Sequence, residues 1–389
     1  MKAHILLFLA ALLSICCERG LSDRFPYHAP EFIGDGLEVG TLGEVGLDTQ
    51  MILNAAGRIM QGKYKEVHSM LIYKDGKLVF EEYYPGHQYQ WDGPAYHGRS
   101  VEWNRDMMHT IMSCSKSFTS ACIGIAVQEG FIEDVHQSIF DYLPDHQHLS
   151  SAEKSKITIE HLLTMTSGLK WNEWGAPHGT SANDIDRIYF ECSENPIGCV
   201  LELPMVAEPG REFTYNGGGI LILGEILKNA SGLRIDEFAM KYLFEPLGID
   251  SASWYEFDNG SIACEGSLYL KPRDMLKFGI CYLNQGQWNG KQIIPGEWVE
   301  KSRVPYGNNT GIRIPIDDSG KNGYSYTWWT NELSKSREEL DIFKANGWGG
   351  QSITVIPDKN MVVVFTGGNY AVRDKLHEIL ERYILPASS

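Results

Sequence analysis

The sequence lacks an excess of positive charge. Its 389 residues include 34 Lys and Arg against 50 Asp and Glu, which gives a formal net charge of -16 at pH 7. Binding to a nucleic acid depends largely on basic side chains that displace counterions from the phosphate backbone. The charge balance therefore argues against a nucleic acid partner, although it does not identify another one.

Long hydrophobic runs are also missing. The apolar run from Ile5 to Ile15 is much shorter than the ~20 residues that a membrane-spanning helix needs. It follows a basic start, Met1-Lys2, and gives way abruptly to polar residues, which is typical of a secretory signal peptide. We assign residues 1–17 to a signal peptide and 18–46 to a linker or arm. The protein is therefore expected to be secreted or held in the cell envelope.

Cysteine follows the apolar run directly, at Cys16 and Cys17. This arrangement resembles a bacterial lipoprotein signal, in which a lipidated cysteine attaches the protein to a membrane. The residue before Cys16 is Ile15, where a small residue is usual, and the residue before Cys17 is itself a cysteine. Lipidation of Cys16, lipidation of Cys17 and simple cleavage of the signal all stay open.

Several catalytic motifs are absent. The sequence contains no Gly-x-Ser-x-Gly elbow, no His-Glu-x-x-His pair and no phosphate-binding glycine loop. His146 and His148 have no further metal ligands at a useful spacing, so a solvated loop explains them better than a metal site does. The sequence thus predicts neither a metal nor a cofactor, and it disfavours the corresponding classes of hydrolase and nucleotide-binding protein.

The chain is long enough for two lobes, because single hydrophobic cores stop growing at about 250–300 residues. Residues Ser69 to Tyr84 form two alternating apolar runs joined by Asp75-Gly76, which is a strong hairpin signal. Two further β-rich runs, Ser352 to Ile356 and Met361 to Thr366, lie near the other end. Strands from both chain ends most economically share one antiparallel sheet.

The middle of the chain is predicted to be helical. We therefore predict an α/β (α+β) fold, in which an antiparallel sheet flanked by helices is built from residues of about 47–108 and 262–389. An all-helical lobe of about 109–261 is inserted between them. A cleft between the lobes is the expected ligand site.

The main chemical motif is Ser113-Cys114-Ser115-Lys116 at the start of an apolar helix. Residues three apart share a helix face, so Lys116 can reach the Ser113 hydroxyl. A lysine in a buried helix must be paired or have a lowered pKa, and a neutral amine could take the serine proton. A second Ser-x-x-Lys match, Ser151 to Lys154, lies in a polar loop and is assigned no chemistry.

Five sequence blocks in order resemble the β-lactamase-related serine hydrolases. This family includes class C β-lactamases, D-Ala-D-Ala carboxypeptidases, family VIII carboxylesterases and 6-aminohexanoate-dimer hydrolases. The blocks are His109 to Pro144 with Ile157 to Leu169, Glu208 to Leu227, Glu265 to Gly279, and Asn346 to Asn369. The resemblance implies a β-lactamase/penicillin-binding-protein-like fold with Ser113 as the nucleophile and Lys116 as its proton-handling partner.

The second motif of the family, Tyr-x-Asn, is altered here to Tyr215-Asn216-Gly217. The resemblance implies that Tyr215 is a general base or proton shuttle. Gly217 stands where the motif has its asparagine, so the side-chain amide that lactam-active relatives use to hold the substrate is missing. Asn216 is a candidate replacement.

The third motif resembles Trp348-Gly349-Gly350, as in family VIII esterases. The glycines would let an acyl group approach the strand, and the next backbone N–H, on Gln351, would join that of Ser113 in the oxyanion hole. Trp348 carries no cation, which disfavours recognition of a substrate carboxylate. Trp171, in a loop that overhangs the cleft in relatives, could line an acyl or alkyl pocket.

The cysteines add one covalent prediction. Cys192 and Cys199 flank a segment rich in turn residues, and a secreted protein matures in an oxidising compartment, so we expect a disulfide between them. The four cysteines that lie in apolar stretches, Cys114, Cys122, Cys264 and Cys281, are expected to be buried free thiols.

Taken together, the residues and the resemblance predict a serine hydrolase that acts on a small-molecule ester or amide through an acyl-enzyme on Ser113. The altered second and third motifs favour an esterase. A 6-aminohexanoate-dimer-type amidase and a β-lactamase or D-peptidase are alternatives within the family. A non-catalytic envelope binding protein of the same fold is the alternative from another class, and the oligomeric state stays open.

Overall fold

The structure is a computed structural model that describes residues 26–331 and 340–388. The expected signal peptide at 1–17, with Cys16 and Cys17, lies outside the described residues, as does the first part of the arm. Within the described ranges, no helix has both the length and the apolar character that crossing a membrane requires.

The strands cluster toward the two ends of the chain. They are β1 (Val67–Lys74), β2 (Lys77–Tyr83), β3 (Pro85–Tyr89), β4 (His97–Glu102), β5 (His109–Thr110), β6 (Tyr269–Leu270), β7 (Gln287–Trp288), β8 (Lys291–Gln292), β9 (Asn322–Ser325), β10 (Trp328–Asn331), β11 (Phe343–Gly347), β12 (Gln351–Ile356) and β13 (Met361–Gly367).

Most helices lie between these two groups of strands. They are α1 (Thr49–Met60), α2 (Ser115–Gln128), α3 (Ile159–Leu163), α4 (Asp184–Glu191), α5 (Pro196–Leu201), α6 (Gly217–Ser231), α7 (Ile235–Ala239), α8 (Pro272–Leu283), α9 (Gly296–Arg303), α10 (Leu376–Ile379) and α11 (Leu385–Ala387).

The main sheet has seven antiparallel strands in the order β2-β1-β13-β12-β11-β10-β9. Strands from both chain ends meet where β1 pairs with β13, so the predicted α/β (α+β) fold with a shared antiparallel sheet is confirmed. The hairpin between β1 and β2 turns at Asp75 (φ 49°) and Gly76 (φ 88°). Positive φ at both turn residues matches the right-handed twist of the flanking strands.

Both faces of the main sheet are buried under helices. Alternate residues of β13 point to opposite sides: Val362 and Val364 join the core shared with the middle of the chain, whereas Val363 and Phe365 join the core under α1 and α10. Because both faces of β13 are buried, its residues from Met361 to Phe365 are apolar at every position rather than at every second position.

Helix α2 runs through the centre of the larger core. It is buried from Ser115 to Ala126, and the Phe118 ring stacks on Phe278 of α8 with centroids 3.8 Å apart. Gly124 lets another aromatic side chain approach, since a Cβ there would lie 2.6 Å from the Trp298 ring. The close packing of α2 fixes the position of the residues at its N-terminal end.

One element boundary at the site differs from expectation. The α-helix expected at Ser113 begins at Ser115, because Met112–Cys114 forms a 3-10 turn first. At the other end of the chain, α10 begins at Leu376 and continues through a wide π turn into α11. Helix ends are set by capping and tertiary contacts, which hydrophobic periodicity does not report.

The cysteine predictions are confirmed. Cys192 and Cys199 form a disulfide with their Cα atoms 6.3 Å apart, and the four remaining described cysteines are buried free thiols. The disulfide closes the segment between α4 and α5, directly after Tyr189 and Phe190. It therefore anchors the end of α4.

We expect the disulfide to be intact in freshly secreted protein and to stabilise the fold by about 2–3 kcal/mol through restriction of the unfolded chain. Alkylation in denaturant followed by peptide mass analysis should leave Cys192 and Cys199 unmodified until reductant is added. The four buried thiols, modified under both conditions, are the internal control. Alkylation of Cys192 and Cys199 without reductant would contradict the bond.

Candidate active site

A cavity of about 900 Å³ opens beside the N-terminal end of α2. Ser113, Lys116 and Tyr215 line it together, although Tyr215 is about 100 residues further along the chain. Ser113 lies in the 3-10 turn that leads into α2. The preceding residue, Met112, has a left-handed backbone conformation (φ 48°), which is uncommon for a non-glycine residue and occurs often at functional sites.

The Ser113 turn is tied to the loop that carries Glu265. The Ser115 hydroxyl donates to Met112 O at 2.6 Å and accepts from Leu268 N–H at 3.1 Å. One side chain thus stabilises the turn and holds the neighbouring loop, 263–270, against it. The contact with Leu268 is buried, and the contact with Met112 is partly buried.

Lys116 is almost completely buried, with 2% of its surface exposed. Its ammonium donates to Ser113 Oγ at 2.9 Å and to Glu265 O at 2.7 Å. The contact that the three-residue spacing predicts is therefore present. In the second Ser-x-x-Lys match the lysine does something different: Lys154 Nζ donates to Leu201 O, and Ser151 Oγ only accepts a backbone N–H.

Tyr215 lies immediately before α6 and faces Lys116, whose Nζ is 4.9 Å from the centre of the phenol ring. Tyr215 lines the cavity together with Ser113 and Lys116. Trp174 stacks on the Tyr215 ring with centroids 4.7 Å apart, and Trp329 lies beside it at 5.9 Å. The two tryptophans thereby hold the Tyr215 ring next to Lys116.

Electrostatics oppose a neutral lysine in this site. Burial alone lowers the pKa of Lys116, but negative charge on Tyr215, Glu173 and Glu265 outweighs it, so the pKa lies above its ordinary value. Of the two alternatives for a buried lysine, pairing or a lowered pKa, the contacts of Lys116 favour pairing. Burial also raises the pKa of Tyr215, and the Lys116 ammonium lowers it without cancelling that rise.

Two carboxylates that the sequence analysis did not select, Glu173 and Glu265, lie near the positive charge of Lys116 and stabilise it. Glu265 is fully buried, and its Oε1 accepts from Tyr189 Oη at 2.5 Å. Glu173 Oε2 accepts from Trp171 Nε1 at 2.9 Å and from Gly217 N–H at 2.8 Å. Glu265 is the first residue of the family-like block Glu265 to Gly279, and this place in the block was the signal that could have identified it. Glu173 lies between Trp171 and Trp174, and no motif in the sequence marks it.

The third motif lines the cavity only in part. Trp348 and Gly349 lie on the cavity wall, and Trp348 Nε1 donates to Tyr370 O at 2.8 Å. Gly349 has φ 86°, and a Cβ there would lie 2.3 Å from the Tyr370 ring, so no side chain fits. Gly350 (φ 91°) allows the turn into β12 but lies outside the cavity lining.

Gln351 is not brought to the cavity, in contrast to the expectation that its N–H completes an oxyanion hole. It is fully buried at the start of β12, where its amide exchanges hydrogen bonds with the backbone of Gly367 at 2.7 and 3.1 Å. The backbone that lines the cavity at this edge is that of Gly347 and Trp348. A Cβ on Gly347 would lie 2.4 Å from Ile111 O, so this strand end packs directly against the Ser113 turn.

Trp171 and Asn216 also have structural positions. Trp171 is buried below the cavity, where its ring packs on Gly218 and its Nε1 holds Glu173, whereas Trp174 reaches the cavity. Asn216 caps α6, since its Oδ1 accepts from Gly219 N–H at 2.9 Å. Neither residue lines the cavity, so their assignment to substrate binding is corrected.

Comparison with known proteins agrees with this arrangement. The family model described as Beta-lactamase matches residues 61–380. The chain belongs to the beta-lactamase family. Proteins of this family are generally serine hydrolases.

Individual family members are only distantly similar. A protein of Alkalihalophilus pseudofirmus is 24% identical over 324 residues, covering 76% of this chain and 82% of its own length. The structure named "Putative 6-aminohexanoate-dimer hydrolase from Bacillus anthracis" has a TM-score of 0.65 and 22% identity, covering 83% of this chain and 79% of that one. A family VIII carboxylesterase also has a TM-score of 0.65, with 14% identity and coverage of 92% and 100%. These structural matches show the fold and leave the reaction open.

Labelling should distinguish the two Ser-x-x-Lys pairs of this family member. A fluorophosphonate probe should react with the wild-type chain and with Ser151→Ala, and it should not react with Ser113→Ala. The reason is that, of the two serines, only Ser113 lines the cavity together with a lysine and a tyrosine. Intact-mass analysis of the adduct provides the measurement, and labelling of Ser113→Ala would rule out Ser113 as the reactive serine.

The alkaline pH profile should report the Lys116–Tyr215 pair. Removal of the Ser113 proton requires this pair to have lost one proton, and both pKa values are raised, so kcat/KM for a neutral ester should keep rising above about pH 9. Glu265→Gln removes negative charge that raises the Lys116 pKa and should move the rise to lower pH. Asp134→Asn, at an exposed carboxylate, is the matched control and should leave the profile unchanged. A profile that Glu265→Gln leaves in place or moves upward would contradict the assignment.

Proposed function

We propose that this chain is a serine hydrolase that cleaves esters of small, uncharged acids through an acyl-enzyme on Ser113. The observation that carries the proposal is the convergence of Ser113, Lys116 and Tyr215 at one end of the 900 Å³ cavity. Membership of the beta-lactamase family supports hydrolysis, and the composition of the cavity supports the ester preference.

In the proposed reaction, Ser113 Oγ attacks the carbonyl carbon while its proton passes to the Lys116–Tyr215 pair. The tetrahedral intermediate collapses, the carbon–oxygen bond to the leaving alcohol breaks, and the pair returns the proton to that oxygen. A water molecule then attacks the acyl carbon and gives a proton to the same pair. The bond from this carbon to Ser113 Oγ breaks, and the pair returns the proton to Ser113 Oγ as the acid leaves. No metal or cofactor takes part in these steps.

We place the developing negative charge between the backbone N–H groups of Ser113 and Trp348. Gly347 brings the end of β11 against the Ser113 turn, and Trp348 is the first residue after that strand. The N–H of Trp348 takes the oxyanion-binding role that the sequence analysis gave to the N–H of Gln351, because Gln351 is fully buried outside the cavity lining. Two preorganised donors in a partly dry site stabilise an oxyanion more than water does.

The cavity charge favours neutral esters over substrates that carry a carboxylate. Five carboxylates line it: Glu173, Asp186, Glu265, Asp317 and Asp374. Asp317 is paired with Lys344, and burial raises the pKa of Glu265 and raises that of Asp374 to about 7, so the negative charge is concentrated less than this number suggests. Lys116, the lysine on the same wall, already donates to two oxygens. Gly217 has no side-chain amide to hold a substrate. A Cβ on Gly217 would lie 3.0 Å from Glu173 Oε2, so the Glu173 carboxylate fills the space near the altered second motif.

Part of the cavity lining consists of rings that can contact an acyl or alkyl chain. This aromatic wall comprises Tyr89, Trp91, Tyr96, Trp348 and Tyr370. Tyr96 meets Trp348 edge to face with centroids 4.8 Å apart, and Tyr370 meets Trp348 in the same way at 5.2 Å. Since Trp348 Nε1 is bound to a backbone carbonyl, the wall presents mainly apolar surface.

We also propose that the protein is exported and works outside the cytoplasm. The signal-like N-terminus motivates this, and the Cys192–Cys199 disulfide supports an oxidising compartment. Membrane attachment through lipidated Cys16 or Cys17 is the corresponding proposal for an envelope-anchored form. Mass analysis of the mature N-terminus from membrane and soluble fractions tests both.

Purified wild-type protein should hydrolyse short-chain p-nitrophenyl esters with a kcat/KM at least about tenfold above that for nitrocefin, which carries a carboxylate. Ser113→Ala should lose at least about 10³-fold in kcat on every substrate that is turned over, while Ser151→Ala keeps the wild-type rate. A preference for nitrocefin would instead assign a β-lactamase. Labelling at Ser113 without turnover of esters, linear amides or nitrocefin would favour the binding protein.

A further inference from the structure

A second cluster of ionisable side chains lies between the main sheet and the β3–β4 hairpin. Glu66 immediately precedes β1, His87 lies on β3 and His97 on β4. One ligand atom from each residue can be chosen so that all three lie within 4.8 Å of one another. We propose that Glu66, His87 and His97 bind a divalent transition metal, with Zn²⁺ as the best match to two imidazoles and one carboxylate.

His97 already has the outer contact that metal-binding histidines usually make. Its Nε2 lies 2.7 Å from Gly368 O, so the proton resides on Nε2 and Nδ1 keeps a free lone pair for a metal. Gly368 directly follows β13 of the main sheet. The contact therefore orients the imidazole and joins the hairpin to the sheet.

Glu66 is held in an equally defined position. Its Oε1 lies 2.8 Å from His87 Nδ1, and its Oε2 lies 3.0 Å from Nε2 of the buried His68. The backbone N–H of His87 also donates to Glu66 Oε2 at 3.1 Å. Contacts to both oxygens therefore hold the carboxylate in place between the main sheet and the hairpin.

A buried hydrogen-bonded chain supports Glu66 from behind. His68 Nδ1 lies 2.8 Å from His109 Nε2, and His109 Nδ1 donates to Thr110 O at 2.7 Å. Both rings are buried, and Trp103 stacks on His68 with centroids 5.1 Å apart. Such outer hydrogen bonds fix ligand orientation in metal sites.

Glycines allow the cluster to pack this closely. A Cβ on Gly86 would lie 2.3 Å from the His68 ring, and one on Gly368 would lie 3.0 Å from Glu66 Oε2. Any side chain at either position would displace His68 or Glu66. The backbone around the cluster is therefore shaped to it.

Coordination requires one ring movement. The rings of His87 and His97 lie face to face, with centroids 4.5 Å apart and planes 4° from parallel, so their lone pairs do not converge. Gly368 restrains His97, whereas the His87 side chain is 38% exposed and can turn about its Cβ–Cγ bond. The same exposure leaves room for water as a fourth ligand.

The site would act on the cavity without taking part in the chemistry. The β3–β4 hairpin supplies Tyr89 to the aromatic wall, and the loop between its strands supplies Trp91 and Tyr96. A metal held by Glu66, His87 and His97 would fasten this hairpin to the main sheet at β1 and β13. We therefore assign it a structural role that stabilises one side of the cavity.

The experiment measures Zn²⁺ itself, with tag-free chain freed of metal by a chelator. In competition with a chromogenic chelator, the wild type should bind one Zn²⁺ per chain with a Kd below about 10 μM, and binding should raise Tm. His87→Gln and His97→Gln should each weaken binding at least about tenfold. The double variant His146→Gln/His148→Gln removes a histidine pair elsewhere and should bind like the wild type.

Addition of Co²⁺ to the wild type provides a readout that does not depend on how well a variant folds. Visible absorption of four-coordinate Co²⁺ is expected at one equivalent, and it should disappear on addition of Zn²⁺. Absence of stoichiometric Zn²⁺ binding by the wild type would overturn the proposal. So would wild-type affinity in both His87→Gln and His97→Gln, or loss of binding in the His146/His148 variant.

Discussion

The active-site arrangement depends on one buried cation, the Lys116 ammonium. Transferring a charged group into the interior is costly unless it is paired and hydrogen-bonded. Lys116 meets this requirement through Ser113 Oγ, the Glu265 carbonyl and the surrounding negative charge. These partners come from different parts of the chain, so satisfying one lysine brings α2, the start of α6 and the 263–270 loop together.

The same requirement restricts the chemistry of the cavity. Glu173 and Glu265 stabilise the positive charge, but they also make the surroundings of Ser113 unfavourable for an anionic substrate. Glu173 occupies space beside Gly217 that a longer side chain would need. The charge compensation of Lys116 and the proposed preference for neutral esters therefore have a common electrostatic origin.

The cavity is also shaped by a part of the fold that has no role in proton transfer. The β3–β4 hairpin contributes to the aromatic wall, and its attachment to the main sheet passes through His97, Glu66 and Gly368. A bound metal at this attachment would connect hairpin stability with substrate fit. The reacting residues Ser113, Lys116 and Tyr215 are not part of that attachment.

The sequence by itself determined features that depend on neighbouring residues. Asp75-Gly76 specified a turn, apolar runs specified the strands of the main sheet, and the three-residue spacing placed Lys116 beside Ser113. The disulfide between Cys192 and Cys199 belongs to the same group, because a short turn brings its ends together. Resemblance between motifs then extended the prediction to Tyr215 and to the family.

Only the tertiary structure decided which nearby motif residues reach the cavity. Gln351 turns into a buried strand, Trp171 packs beneath α6, and Asn216 caps that helix. The raised pKa of Lys116 and the grouping of Glu66, His87 and His97 likewise arise from residues far apart in the chain. Local backbone preferences are encoded by adjacent residues, whereas burial and electrostatic pairing depend on the packing of the whole chain.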